Sequence, residues 1–131
     1  MPVVANSFDY AIIRVVPCVE REEFINVGVI LFCRKLRFLE ARVSLDQTRL
    51  AALAPHLDSE AITQHLALIP RICAGEGGEV GQLSQPERFH WLTTPRSTII
   101  QISPVHTGLC SDPAGMLDHL LESMVLPPGC G

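Results

Sequence analysis

An α+β fold is predicted: an antiparallel sheet of about four strands, the first three in a meander, with three to four helices packed mainly on one face. Three observations predict it. Up to Val43 the apolar residues come in β-branched or alternating runs joined by short polar connections. From Asp46 to Cys73, and again from Asp112 to Val125, they recur at helical spacing. A further strand-like run, Thr98 to Ile102, lies between the two helical regions. The chain has 131 residues, the size of a single core, so residues 1–126 are expected to form one domain and 127–131 a flexible C-terminal tail.

The first strand is read over Tyr10 to Val16, apolar except for Arg14 and stopped by Pro17. After the acidic turn of Glu20, Glu22 and Glu23, a long run extends from Phe24 to Cys33. Its odd positions, Ile25, Val27, Val29, Leu31 and Cys33, make one apolar face, and the even positions include Asn26 and Gly28. Glycine weakens a strand, so a close approach to the backbone is expected at Gly28. Arg34-Lys35-Leu36-Arg37 turns the chain into Phe38 to Val43, where Leu39, Ala41 and Val43 alternate with Phe38, Glu40 and Arg42. Short connections between three such runs spell an antiparallel meander.

Helices follow. Asp46 is an N-cap with Leu45 and Leu50 placed as a hydrophobic staple, and Pro55 ends that helix. Asp58 or Ser59 caps the next, whose Ile62, Leu66, Ile69 and Cys73 share a face; Pro70 should kink or stop it. The glycine-rich residues 75–83 read as a mobile connector. They fit neither G-x-G-x-x-G nor the Walker pattern, and Glu76 and Glu79 would repel phosphate. Ser84-Gln85-Pro86-Glu87 is a capping box opening a short helix with Phe89, Trp91 and Leu92. Ser103-Pro104 breaks the strand at Ile102. Asp112-Pro113 starts a last helix with the stripe Leu117, Leu120, Leu121 and Met124, expected to dock on the sheet.

Composition narrows the function. Hydrophobic residues make up 47 % of the chain but aromatics only 5 %, so the core is built from Val, Ile, Leu and Ala, with apolar surface left over for a partner. No apolar run approaches the roughly 20 residues of a membrane-spanning helix. The N-terminal residues lack a basic region followed by a hydrophobic stretch, which makes a cytoplasmic address the expectation. Net charge is −4, unfavourable for duplex nucleic acid. The basic groups lie early, with Arg34, Lys35 and Arg37 as the one candidate polyanion contact. Cys18, Cys33, Cys73, Cys110 and Cys130 form no Cys-x-x-Cys pair and are expected to be reduced structural thiols. His56, His65, His90 and His119 show no metal-ligand spacing, and neither metal nor cofactor is expected.

Chemistry is concentrated in Pro95 to Gly108. Arg96, with Ser97 and Thr98 beside it, could clamp a carboxylate or phosphate through its planar fork, or pair with Glu23 or Glu40. His106 could serve as a general base, with Ser97, Ser103 or Thr107 as nucleophile, although no nucleophile elbow accompanies them; a histidine bonding backbone is the simpler alternative. Trp91 could stack a ring together with Arg88, but is favoured as a core anchor. If the second and fourth strands are neighbours, Asn26-Val27-Gly28 and Arg96 to Gly108 form one site.

Tyr10-Ala-Ile-Ile-Arg14, Glu23-Phe-Ile-Asn-Val-Gly-Val-Ile-Leu31, Arg88-Phe-His-Trp91, and Pro95-Arg-Ser-Thr98 through Pro104-Val-His-Thr-Gly108 resemble a small bacterial family, domain of unknown function 3037. The resemblance spans about residues 8 to 126. It implies a protein partner, because members are often encoded beside a HipA-like kinase, and it places the family's polar motif positions on Arg14, Glu23, Asn26, Arg96, Ser97, Thr98, His106 and Gly108. The leading expectation is therefore a non-enzymatic accessory domain that binds a protein partner and an anionic small ligand near Arg96 and His106. The alternatives are a small hydrolase or transferase, with His106 as base and Arg96 as anion clamp, and nucleic-acid contact through the Arg34–Arg37 hairpin.

Overall fold

β-Branched residues crowd the first third of the chain, and they fold into a three-strand meander. The computed structural model describes residues 4–94 and 99–127. Strand β1 spans Asn6–Cys18, β2 Glu23–Cys33 and β3 Phe38–Val43, each antiparallel to the next. Strand β1 is longer than its apolar run: its N-terminal half, from Asn6, is held by β5 (His106–Cys110), and its C-terminal half by β4 (Ile100–Ile102). The sheet order is β3-β2-β1, with β4 and β5 end to end along the outer side of β1. The expected antiparallel sheet is present, its fourth position divided in two. His106, Thr107 and Gly108, read as a polar loop, are strand residues.

Ser103-Pro104 makes that division, and Ser103 repairs the ladder it interrupts. The Ser103 backbone N–H donates to the Ile12 carbonyl at 2.8 Å, and the Ile12 N–H donates to the Ser103 hydroxyl oxygen, also at 2.8 Å. A side-chain oxygen thus stands where a regular strand would present a carbonyl. Ser103 is 2 % exposed, so neither group has water as an alternative.

A bulge corrects the reading of β2. Ile13 pairs with Gly28 and Arg14 with Asn26, so Val27 is the extra residue. One extra residue reverses the alternation beyond it. Ile25 and Val27 therefore share a core with Ile30 and Phe32, while Val29, Leu31 and Cys33 face the opposite side of the sheet. The single apolar face of odd positions does not exist. Gly28 sits at the turning point: a Cβ there would lie 2.6 Å from the Arg42 carbonyl oxygen and 2.9 Å from Ile13 Cδ1. The close approach expected at Gly28 comes from the sheet's own strands.

Helices α1 (Gln47–Leu53), α2 (Ser59–Cys73) and α3 (Gln85–Thr93) cover one face through Leu50, Ile62, Leu66, Ile69, Ile72, Phe89 and Leu92. Helix α4 (Pro113–Met124) covers the other through Leu117 and Leu120, against Phe8, Ile12, Val29 and Leu31. Asp46, Asp58 and Ser84 accept backbone N–H bonds at their N-caps. Pro70 does not stop α2, which runs on to Cys73. Arg88 caps that end, its Nη1 donating to the carbonyls of Ile72 and Cys73 and its Nε to that of Leu83. Arg88 is thereby committed, and Trp91 is 38 % exposed rather than a core anchor; Phe89, stacked on Phe32 at 5.3 Å, fills that role. Among the described residues no helix is long and apolar enough to cross a membrane.

Candidate anion-binding site

Arg14 is the one charged residue between Tyr10 and Val16, and the fold places it in the middle of the sheet. It stands opposite Asn26 of β2 on one side and Gln101 of β4 on the other, on the face that α4 partly covers. Helix α4 ends beside it: the Asn26 Nδ2 donates to the Met124 carbonyl at 3.1 Å. Arg14 is half-buried there, its guanidinium carbon 4.2 Å from the centroid of Phe24, which is 45 % exposed. At that distance the guanidinium charge is attracted to the face of the ring.

Two polar atoms at this place are buried and without hydrogen-bond partners among the described residues: Arg14 Nε and Asn26 Oδ1. One is a donor, the other an acceptor. The Asn26 amide cannot exchange its ends, because the Met124 carbonyl needs the Nδ2 donor. Both ion pairs among the described residues, Arg21–Glu23 at 2.6 Å and Arg42–Asp118 at 3.2 Å, leave Arg14 out. An unpaired buried polar group costs about 1–3 kcal/mol. A guest with an anionic oxygen beside an O–H or N–H would relieve both costs at once.

The other expected site residues are dispersed. Glu23 is opposite Cys18 at the far end of β1 and bound by Arg21 Nε and Nη2. His106 is exposed on β5 opposite Tyr10, its ring 5.3 Å from the tyrosine ring. From Tyr10 to Arg14 is four residues of β1, or about 13 Å, so His106 and the Arg14–Asn26 pair share a face but no pocket. Strand β1 separates β2 from β4 and β5, and the supposed adjacency of the second and fourth strands does not hold. Gly108 lies beneath Phe8, whose Cζ would be 2.8 Å from a Cβ. Arg96, Ser97 and Thr98 lie outside the described residues. Of the other proposed nucleophiles, Ser103 is built into the ladder and the Thr107 hydroxyl donates to Asp9 Oδ1 at 3.0 Å.

Arg34, Lys35 and Arg37 form the exposed β2–β3 turn, with Arg37 at φ 52° and its carbonyl accepting from Gln85 Nε2. A cleft of about 130 Å³ between α2, α3 and β4 is lined by His65, Leu68, Trp91, Thr94 and Ile100. Among the described residues no cluster of histidine, cysteine or carboxylate side chains is arranged to hold a metal ion. Sequence reasoning named Arg14 and Asn26 but missed Phe24, whose signal was an aromatic two residues before Asn26 at the start of β2.

A model of a protein family described as a protein of unknown function, DUF3037, matches residues 10–125. Searches of curated proteins and of solved structures gave no match.

Proposed function

We propose, from the premise that the chain belongs to the DUF3037 family of proteins of unknown function, that it is a non-enzymatic binding domain whose ligand carries an anionic oxygen next to a hydrogen-bond donor. Hydrogen phosphate and α-hydroxy or α-amino carboxylates have that chemistry. The observation that carries the reading is the orphaned pair of Arg14 Nε and Asn26 Oδ1 on opposed positions of β1 and β2. The guanidinium supplies charge-assisted donors and Asn26 Oδ1 accepts a hydrogen bond from the ligand's O–H or N–H, so simple carboxylates should bind less well than hydroxy acids.

Isothermal titration with inorganic phosphate, lactate and acetate tests this. Lactate and phosphate should bind more tightly than acetate, and Arg14→Gln should weaken both by about 10- to 100-fold. Arg34→Ser, at the distant turn, should change nothing. Equal affinities for wild type and Arg14→Gln would sink the reading.

As an accessory domain the protein would pass ligand occupancy to a protein partner, for which the family resemblance suggests a HipA-like kinase. Occupancy has a route: Asn26 touches the C-terminal end of α4, and a ligand that engages Asn26 Oδ1 stiffens that contact. Co-purification of the tagged chain with and without lactate reads this out. Absence of a kinase-like companion in both conditions counts against the partner while leaving the titration unaffected.

A further inference from the structure

Asn26 is held in one orientation. A carboxamide can ordinarily turn over to suit its guest, exchanging its oxygen for its nitrogen. Asn26 lacks that freedom, because its Nδ2 donates to the Met124 carbonyl at 3.1 Å, and a reversed amide would set Oδ1 against that carbonyl oxygen. Oδ1 is therefore a fixed acceptor, buried and unmet by any described residue, opposite the fixed and equally unmet donor Arg14 Nε.

Helix α4 reinforces that polarity. The carbonyl that Asn26 holds belongs to its last turn, where the N–H groups of Val125 and Leu126 both donate to the Leu121 carbonyl at 3.0 Å. Carbonyls of a last turn have no partner further along the helix, and together they form the negative end of its dipole. A guest oxygen approaching Asn26 thus meets the lone pairs of Oδ1 and the negative end of α4. One that carries a hydrogen is drawn in, and a bare anionic oxygen is repelled by both. On the Arg14 side the preference is reversed.

We infer that this site takes inorganic hydrogen phosphate and rejects tetrahedral anions that carry no proton, a selectivity that rests on the anion-binding role proposed for the same two atoms. Hydrogen phosphate offers a P–OH to Asn26 Oδ1 while a bare oxygen accepts from Arg14 Nε. Sulfate has the same shape, but at neutral pH all its oxygens are bare. It leaves Oδ1 unpaired and sets an anionic oxygen against it, a loss of about 10- to 100-fold in affinity. The dianion of a phosphate monoester is excluded in the same way, its last proton leaving at about pH 6. Inorganic phosphate keeps its last proton far above that, so the ester and the free anion part company at neutral pH.

Isothermal titration of the full chain with inorganic phosphate, sulfate and methyl phosphate, at about pH 8 where the ester has lost its proton, tests it. Wild type should bind phosphate about 10- to 100-fold more tightly than either of the others. Asn26→Ala removes the fixed acceptor and should bring phosphate and sulfate to similar affinities. Should that variant fail to fold by circular dichroism, the wild-type ranking alone decides the matter. Equal binding of phosphate and sulfate by wild type, with both lost in Arg14→Gln, leaves the anion site standing and overturns the selectivity. A wild-type chain that binds none of the three overturns both.

Discussion

Three residues do work that their neighbours could not. Arg14 places a charge in a sheet of aliphatic side chains, tolerated because its stem is buried while Phe24 covers its plane. Ser103 is the sole side chain that completes the Ile12 backbone bond at the strand break. Ser103→Ala keeps the volume but leaves a buried N–H unpaired, and should cost about 1–3 kcal/mol in urea unfolding. Gly28→Ala drives a methyl to 2.6 Å from the Arg42 carbonyl, an overpacking expected to cost about 1–3 kcal/mol or more by the same measurement. Arg14 was legible in the sequence as the lone charge of an apolar run. Its pairing with Asn26 was not, because two residues twelve apart meet only through the register of β1 and β2.

At the level of elements, the helices were the most readable. Caps and apolar spacing are local, and Asp46, Asp58 and Ser84 each accept the backbone bonds their positions promise. Helix α2 shows what locality misses: its last residue, Cys73, is buried under Arg88 and the sheet. Burial pushes the Cys73 thiol from 9.0 up to about 12, against a smaller opposing pull from Arg88. A thiol whose folded value is raised binds its proton more tightly folded than unfolded, so its contribution is complete below pH 9 and is lost as pH rises toward 12. Stability should therefore fall by up to about 1.4 kcal/mol per pH unit in that window from this group, and Cys73→Ala should flatten the slope by that amount. Urea unfolding of both proteins at successive alkaline pH values measures it; parallel slopes would contradict the assignment. Exposed Cys18 should meanwhile react with maleimide in the native state and buried Cys73 should not.

The molecule as a whole is one sheet with a core on each face. Both cores draw on β1 and β2: Ile13 and Val27 on the side of α1–α3, Ile12 and Val29 on the side of α4. Shared strands should make the two cores unfold together. The single Trp91 lies on α3, so its fluorescence should report the loss caused by Leu117→Ala on the opposite face, about 2–5 kcal/mol, at the same midpoint as circular dichroism. Separate midpoints would show that α4 melts alone. The sequence by itself determined the fold class, the meander, the helix starts and the strand break, all of which rest on contacts between residues close along the chain. Tertiary structure alone decided that a bulge splits the apolar face of β2 across the two cores, that β4 and β5 share one side of β1, and that Arg14 meets Asn26 while His106 meets Tyr10. The physical reason is register: a one-residue insertion exchanges the faces of a strand, and no local propensity records which residue of the neighbouring strand it will oppose.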